Sequence, residues 1–142
     1  MAAYDLGEPL IQPPALLVAA KLFQSHHKEH ALLFNGQLTA NGQKAFTEPN
    51  PVVLANLKPQ IDALKTEADV LRFAQTLELA AASTYFSTVD MLKGEKLAYT
   101  AMTIGGTEYR HAALLSMVTG MPIQSTMSGF LTDAEAIAPV GV

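Results

Sequence analysis

The 142-residue chain contains no cysteine. This absence excludes disulfide bonds, thiolate metal ligands and thiol catalysis, but it does not indicate a compartment, because a cysteine-free protein tolerates either redox state. Basic residues are also few, since nine lysines and arginines are scattered through a chain whose formal net charge is -4. Without a basic face or run, nucleic acid is not an expected partner.

Long hydrophobic runs are missing as well. No uninterrupted apolar stretch reaches the roughly 20 residues that a membrane span needs, and the segment from Met1 to Asp5 lacks the basic region and apolar run of a secretion signal. We therefore expect no membrane span and a cytoplasmic protein, with export left open if the natural chain begins upstream of Met1. A hydrolase or transferase is not favoured, because there is no glycine-rich phosphate loop and no nucleophile in a recognisable setting.

The hydrophobic residues that are present point to helices. They make up 49% of the chain, and leucine and alanine, which favour helix over strand, dominate that share. A chain of this length suits one hydrophobic core. We expect a single all-α domain over residues 1–142, with an extended tail from about residue 121.

Helix start and stop signals divide the chain into three long helices and one short helix. Thr66 and Asp69 have the spacing of a helix N-cap, and Pro59 is expected to kink or divide the short helix. The Gly105-Gly106 pair suggests a close helix approach or a local bulge. The expected helices cover about residues 14–40, about residues 51–65, the segment from Thr66 to Gly94, and about residues 95–119.

Ionisable residues interrupt the apolar stripe that each long helix is expected to turn toward the core. These are His27 and His30 in the first long helix, Glu78 in the second, and Glu108 and His111 in the third. A buried carboxylate without a partner is so unfavourable that it neutralises, pairs with a cation or binds a metal. Residues three apart share a helical face, so we expect these side chains to meet at one interior point.

Three segments resemble the bacterial ferritin-like domain proteins rather than the iron-storage cages. Residues 77–86 (LELAAASTYF) are similar to that family's third helix, whose single glutamate bridges the metals, and residues 108–115 (EYRHAALL) are similar to its fourth helix with a Glu-x-x-His motif. Residues 27–31 (HKEHA) fall where the second helix carries the other Glu-x-x-His. The resemblance covers most of residues 10–120 and implies an antiparallel ferritin-like helical bundle with a metal site in its core.

Two departures from the family pattern concern that site. His27 stands where the second helix of the family has a glutamate, so a neutral ligand replaces an anionic one. The family's first helix, with its own glutamate, should precede Pro13, where only a short segment is present. We expect this helix to be shortened or missing, unless the natural chain begins upstream of Met1. Residues 2–6 could be the end of such a helix.

A charge count favours one metal ion over two. Two divalent ions bring four positive charges, whereas Glu78 and Glu108 supply two negative charges. A dinuclear site is not favoured unless a partner chain or Asp5, Glu8 or Glu29 contributes a carboxylate. A mononuclear site is therefore the expected arrangement.

Such an ion would be held by imidazoles and by one or both carboxylates. His30 and His111 would fix the metal, and His27 could take an open position. Two imidazoles with a carboxylate suit non-haem iron(II), and a histidine-rich site suits zinc or copper equally well. Iron is the first candidate, with manganese, zinc and copper as others.

The sequence leaves two functions open. One is a metal-binding protein with weak iron(II) oxidase activity. The other is a non-catalytic stress-protection or interaction bundle, as the resemblance to desiccation-related ferritin-like proteins allows, in which the acidic and imidazole groups satisfy one another without a metal. A homodimer is expected in either case, because the face that the shortened first helix would cover stays apolar.

Overall fold

The chain is all-α in the computed structural model, which describes residues 2–122 and the side chains of residues 4–122. Five α-helices and two short 3-10 turns make up this part, which contains no strand, so the all-α prediction is confirmed. The tail predicted from about residue 121 lies, beyond Pro122, outside the described residues. The helices are α1 (Ala2–Gly7), α2 (Pro14–Ala40), α3 (Pro51–Asp62), α4 (Glu67–Ser87) and α5 (Glu95–Thr119).

The helices fall into two compact units, Met1–Val70 and Leu71–Val142. The first unit holds α1, α2, α3 and the first turn of α4, and the second holds the rest of α4 with α5. The organisation as one domain stays a prediction. Three long helices, α2, α4 and α5, and the short α3 occur where the sequence places them.

The end of α2 follows from a glycine. Gly42 adopts a φ of 73°, in the left-handed region that a residue without a Cβ enters readily. The Gln43 backbone N–H then donates to the Leu38 carbonyl at 2.9 Å, and the Gly42 N–H donates to the Thr39 carbonyl at 3.0 Å. These two bonds satisfy carbonyls that the helix end would leave open, so the predicted stop is confirmed.

The start of α4 is a reciprocal cap between Thr66 and Asp69. The Asp69 backbone N–H donates to Thr66 Oγ1 at 3.2 Å, and the Thr66 backbone N–H donates to Asp69 Oδ2 at 2.9 Å. The N-cap predicted from these two residues is therefore confirmed. Within α3, Pro59 lies inside one continuous helix, so the alternative in which it divides the helix is wrong.

The end of α4 differs from the prediction. The helix stops at Ser87 rather than at Gly94, and a 3-10 turn over Val89–Met91 follows. At this end Ser87 Oγ and Thr88 Oγ1 both donate to the Thr84 carbonyl, at 3.1 and 2.9 Å.

Polar contacts tie α1 and the turn after it to α2. Gln24 Nε2 donates to Asp5 Oδ1 at 2.6 Å, and Lys21 Nζ lies 3.2 Å from Glu8 Oε1. The short segment before Pro13 is thus helical over Ala2–Gly7. The carboxylates of Asp5 and Glu8 are therefore both paired with side chains of α2.

The second unit contains most of the buried apolar residues. Gly105 of α5 is buried, and a Cβ added there would lie 3.2 Å from Tyr85 Cβ and 3.2 Å from Phe86 Cε2. The close helix approach suggested by the glycine pair is confirmed, and no bulge is present, because α5 is continuous. The apolar side chains buried in this unit are Leu71, Ala82, Ala101, Ile104, Ala112 and Leu115.

Among residues 2–122, none of the helices combines the length and the apolar character that crossing a bilayer requires.

Candidate metal centre

Helices α4 and α5 bring together three of the five residues proposed from the sequence. Glu78 lies in α4, whereas Glu108 and His111 lie three residues apart on one face of α5. All three are almost fully buried, with exposed fractions of 2%, 1% and 3%. Each side chain sits on a helix face that is mostly apolar, which is the pattern that marked it in the sequence.

The imidazole of His111 lies between the two carboxylates. Its Nδ1 atom is 3.1 Å from Glu78 Oε2 and 3.2 Å from Glu108 Oε2. The ligand atoms that the three residues offer all lie within 4.8 Å of one another. Atoms bound to one ion at about 2.1 Å lie about 3.0 to 3.4 Å apart at octahedral or tetrahedral angles. The spacing around Nδ1 therefore fits a common metal ion.

The electrostatics of the cluster favour a positive charge between the carboxylates. Burial alone lowers the pKa of His111, but its hydrogen bonds to Glu108 and Glu78, with their negative charges, outweigh burial and raise this pKa above its usual value. A protonated His111 offsets one of the two negative charges within the trio. A divalent ion in the place of that proton would offset both.

Tyr85 lies two turns along α4 from Glu78 and is close enough to Glu108 to feel its charge. Burial raises the pKa of Tyr85 to about 12, and the negative charge of Glu108 contributes to the rise. The phenol therefore keeps its proton at neutral pH. In the metal-free protein it can act as a hydrogen-bond donor beside the carboxylates.

Sequence reasoning missed a buried amide next to the cluster. Gln75, one turn before Glu78 on α4, is 1% exposed. Its Nε2 donates to the Pro122 carbonyl at 3.1 Å, and its Oε1 accepts from Thr119 Oγ1 at 3.0 Å. The spacing of Leu71, Gln75 and Glu78, four and then three residues apart, was the available signal for this position.

The two remaining candidates, His27 and His30, lie on α2 in the first unit. Both are half-buried. The His27 ring is 5.5 Å from the ring of Tyr4 and 6.0 Å from the ring of His30, which meets it edge-on at 88°. Their assignment as metal ligands stays a prediction.

Comparison with known proteins identifies a family. The family model described as ferritin-like domain matches residues 8–121, a range that includes α2, α4 and α5. No curated protein matches the chain, and no solved structure does. The family match confirms the resemblance seen in the three sequence segments, and with it the ferritin-like helical bundle.

Proposed function

Because the chain belongs to the ferritin-like domain family, we propose that Glu78, Glu108 and His111 hold one transition metal ion. The observation that carries the proposal is the position of His111 Nδ1, 3.1 and 3.2 Å from two carboxylate oxygens that are themselves buried. Two carboxylates and one imidazole, brought from two helices to one point, are a donor set that transition metals accept.

One ion rather than two follows from the available charge. The trio supplies two carboxylates, which a single divalent ion neutralises. The acidic residues that could have supported a second ion are engaged elsewhere or exposed: Asp5 accepts from Gln24, Glu8 is paired with Lys21, and Glu29 is an exposed residue of α2. We therefore propose a mononuclear centre.

Iron is the first candidate for the ion. Carboxylates suit iron and manganese, imidazoles suit iron, zinc and copper, and iron is common to both sets. When bound, ferrous iron would supply electrons to dioxygen or peroxide, so weak iron(II) oxidation is the activity that we propose. In that reaction Glu78 and Glu108 would balance the charge of the ion and His111 would fix its position, while the burial of all three would limit the access of water.

The second unit supplies three ligands, which leaves coordination positions for further groups. We propose His27 or His30 for one of these positions on the ground of sequence, because residues 27–30 stand where the family carries its other Glu-x-x-His motif. An imidazole would add a ligand without changing the charge balance of the centre.

Metal content measured on variants tests the proposal. Protein purified without chelators or an affinity tag should contain transition metal by elemental analysis, and Glu78→Gln, Glu108→Gln and His111→Gln should each lower that content several-fold. Glu95→Gln, which changes an exposed glutamate in the first turn of α5, should leave the content unchanged. A metal content that all three variants preserve would overturn the assignment.

One observation favours a second candidate function. His111, with its raised pKa, can satisfy Glu78 and Glu108 as an imidazolium, so the cluster is also a coherent polar network without a metal. A non-catalytic stress-protection or interaction bundle would need only this metal-free network in its core. Thermal unfolding separates the two, because an ion that binds only the folded state raises the melting temperature. No shift with iron, manganese, zinc or copper would favour the second function.

Three further expectations remain predictions from sequence: a homodimer, a cytoplasmic location and no role for nucleic acid. For the dimer, the outer face of α5 offers support, since Tyr99, Met102, Leu114 and Met117 are 72%, 50%, 52% and 82% exposed. Apolar surface of this kind is frequently covered by a partner. Sedimentation equilibrium should give twice the chain mass, and Met117→Glu should lower it if this face is used.

A further inference from the structure

The outer face of α5 repeats with the spacing of a coiled-coil seam. Six residues of this continuous helix follow one another at intervals of four and three positions in turn, the heptad spacing that lets two helices pack along a common line. None of the six is buried, and the two at the ends, Tyr99 and Met117, are 72% and 82% exposed. We call these residues the α5 seam: Tyr99, Thr103, Gly106, Arg110, Ala113 and Met117.

The α5 seam is complementary to itself when a second copy runs in the opposite direction. With the pair centred at position 108, Arg110 of each copy faces Gly106 of the other, so the longest side chain meets the residue that has none. Gly106 leaves room for it, because a Cβ added there meets nothing within 4 Å among the described residues. One surface thus serves both copies, as a two-fold symmetric interface requires. The three facing pairs are Gly106 with Arg110, Tyr99 with Met117, and Thr103 with Ala113.

A parallel pair would fit the same seam poorly. It would place the two Arg110 guanidinium groups level with each other and leave Gly106 opposite Gly106, so like charges would meet beside a gap. In the antiparallel pair the two arginines are four positions apart along the seam, or about 6 Å. Arg110 Nη2 also donates to Thr107 Oγ1 at 2.9 Å. Because Thr107 lies beside the seam, this bond draws the charge to the edge and leaves the methylene groups of Arg110 over the centre.

The exposed apolar area of this face is sufficient for a weak dimer. Met102 and Leu114, which flank the seam, are 50% and 52% exposed. With Tyr99 and Met117 they present on the order of 500 Å² in each copy, so a pair that covers this face buries about 1,000 Å², the lower limit for a specific interface. We propose that α5 pairs with α5 of a second copy in antiparallel orientation along the α5 seam. The proposal rests on the homodimer predicted from the sequence and does not depend on the metal centre.

Introduced cysteines test the orientation and register on the full chain, which contains no cysteine of its own. In the antiparallel pair, position 99 lies beside position 117 of the other copy but about 27 Å along the helix from position 99 of that copy, whereas a disulfide needs Cα atoms within about 7 Å. Under oxidation, Tyr99→Cys and Met117→Cys should therefore each stay uncrosslinked alone and form a covalent heterodimer when mixed. Mass spectrometry should show several-fold more heterodimer than in a control mixture of Tyr99→Cys with Val52→Cys, which changes an exposed residue of α3.

Sedimentation equilibrium tests the same interface without cysteines. The unsubstituted protein should form a concentration-dependent dimer. Met117→Glu should weaken this dimer several-fold, whereas Met91→Glu, a matched change of a 67% exposed methionine outside α5, should not. Both variants should keep the metal content of the unsubstituted protein, because Glu108 and His111 are buried on the side of α5 away from the seam.

The outcomes separate the dimer from its interface. A monomer at every concentration would overturn both the predicted homodimer and this proposal, and the α5 seam would then be bare or covered by a different protein. A dimer whose cysteine mixture links no better than the control would overturn the proposal alone. Disulfide formation by Tyr99→Cys on its own would also overturn it, since that result requires a parallel pair.

Discussion

His111 Nδ1 lies 3.1 Å from Glu78 Oε2, although the two residues belong to different helices and are 33 positions apart. The Glu78 carboxylate, which carries a negative charge, and the His111 imidazole, which can carry a positive charge, are both buried where they meet. A buried carboxylate that finds an imidazole avoids the large cost of an unpaired charge. The same contact provides two potential ligand atoms at the spacing that one metal ion needs.

The metal-free protein should lose stability as pH rises through the folded pKa of His111. That pKa is raised by Glu108 and Glu78 against the opposing effect of burial, so the stabilisation from the imidazolium is fully present below its unfolded pKa of about 6.5 and disappears above the folded value. Urea denaturation in a chelating buffer should show the free energy of unfolding falling with pH more steeply in the unsubstituted protein than in His111→Gln. Parallel curves would contradict this assignment of charge.

Metal binding should release protons. A ligand imidazole must give up the proton on its binding nitrogen, and because the pKa of His111 is raised, the metal-free protein keeps this proton to a higher pH than an ordinary histidine does. Calorimetry in two buffers of different ionisation enthalpy should give different apparent heats for Mn²⁺ binding. Identical heats in both buffers would mean that His111 Nδ1 is not the ligand.

Two adjacent glycines should respond in opposite directions to the same substitution. Gly105→Ala places a Cβ 3.2 Å from Tyr85 Cβ, and overpacking of this kind costs about 1 to 3 kcal/mol. Gly106→Ala meets nothing within 4 Å among the described residues and should stabilise α5 by about 0.5 to 1 kcal/mol through its better helix propensity. Urea denaturation measures both changes. Equal effects would refute the close approach of α4 and α5 at Gly105.

The buried amide of Gln75 should contribute to stability through both of its ends. Gln75→Leu removes the bonds to Thr119 and Pro122, and a buried polar group that loses its partner costs about 1 to 3 kcal/mol. Gln37→Leu, at an exposed position of α2, is the matched control and should change the free energy of unfolding little. If both variants unfold alike, the network around Gln75 does not hold the end of α5.

Local signals in the sequence were sufficient to predict most helix ends. Gly42 and the Thr66–Asp69 pair act through bonds within a few residues, so their effect can be predicted from the chain itself. The early end of α4 at Ser87 was not predicted. It was missed because a glycine at residue 94 is the stronger stop signal in a sequence.

The candidate site shows where local reasoning ends. Glu108 and His111 could be predicted to share a face because they are three residues apart, and Glu78 could be recognised as a carboxylate on an apolar stripe. The contact between α4 and α5 depends on tertiary packing, which places His111 Nδ1 between two carboxylates. Gln75 was missed for the same reason, since its partners Thr119 and Pro122 are distant in sequence.

Anomalous diffraction from a crystal grown with Mn²⁺ tests the central claim most directly, because it locates the ion itself. The account predicts a peak between Glu78, Glu108 and His111, about 2.0 to 2.3 Å from a carboxylate oxygen of each glutamate and from His111 Nδ1. Manganese peaks only at other positions, with His111 Nδ1 still about 3.1 Å from Glu78 Oε2, would contradict it.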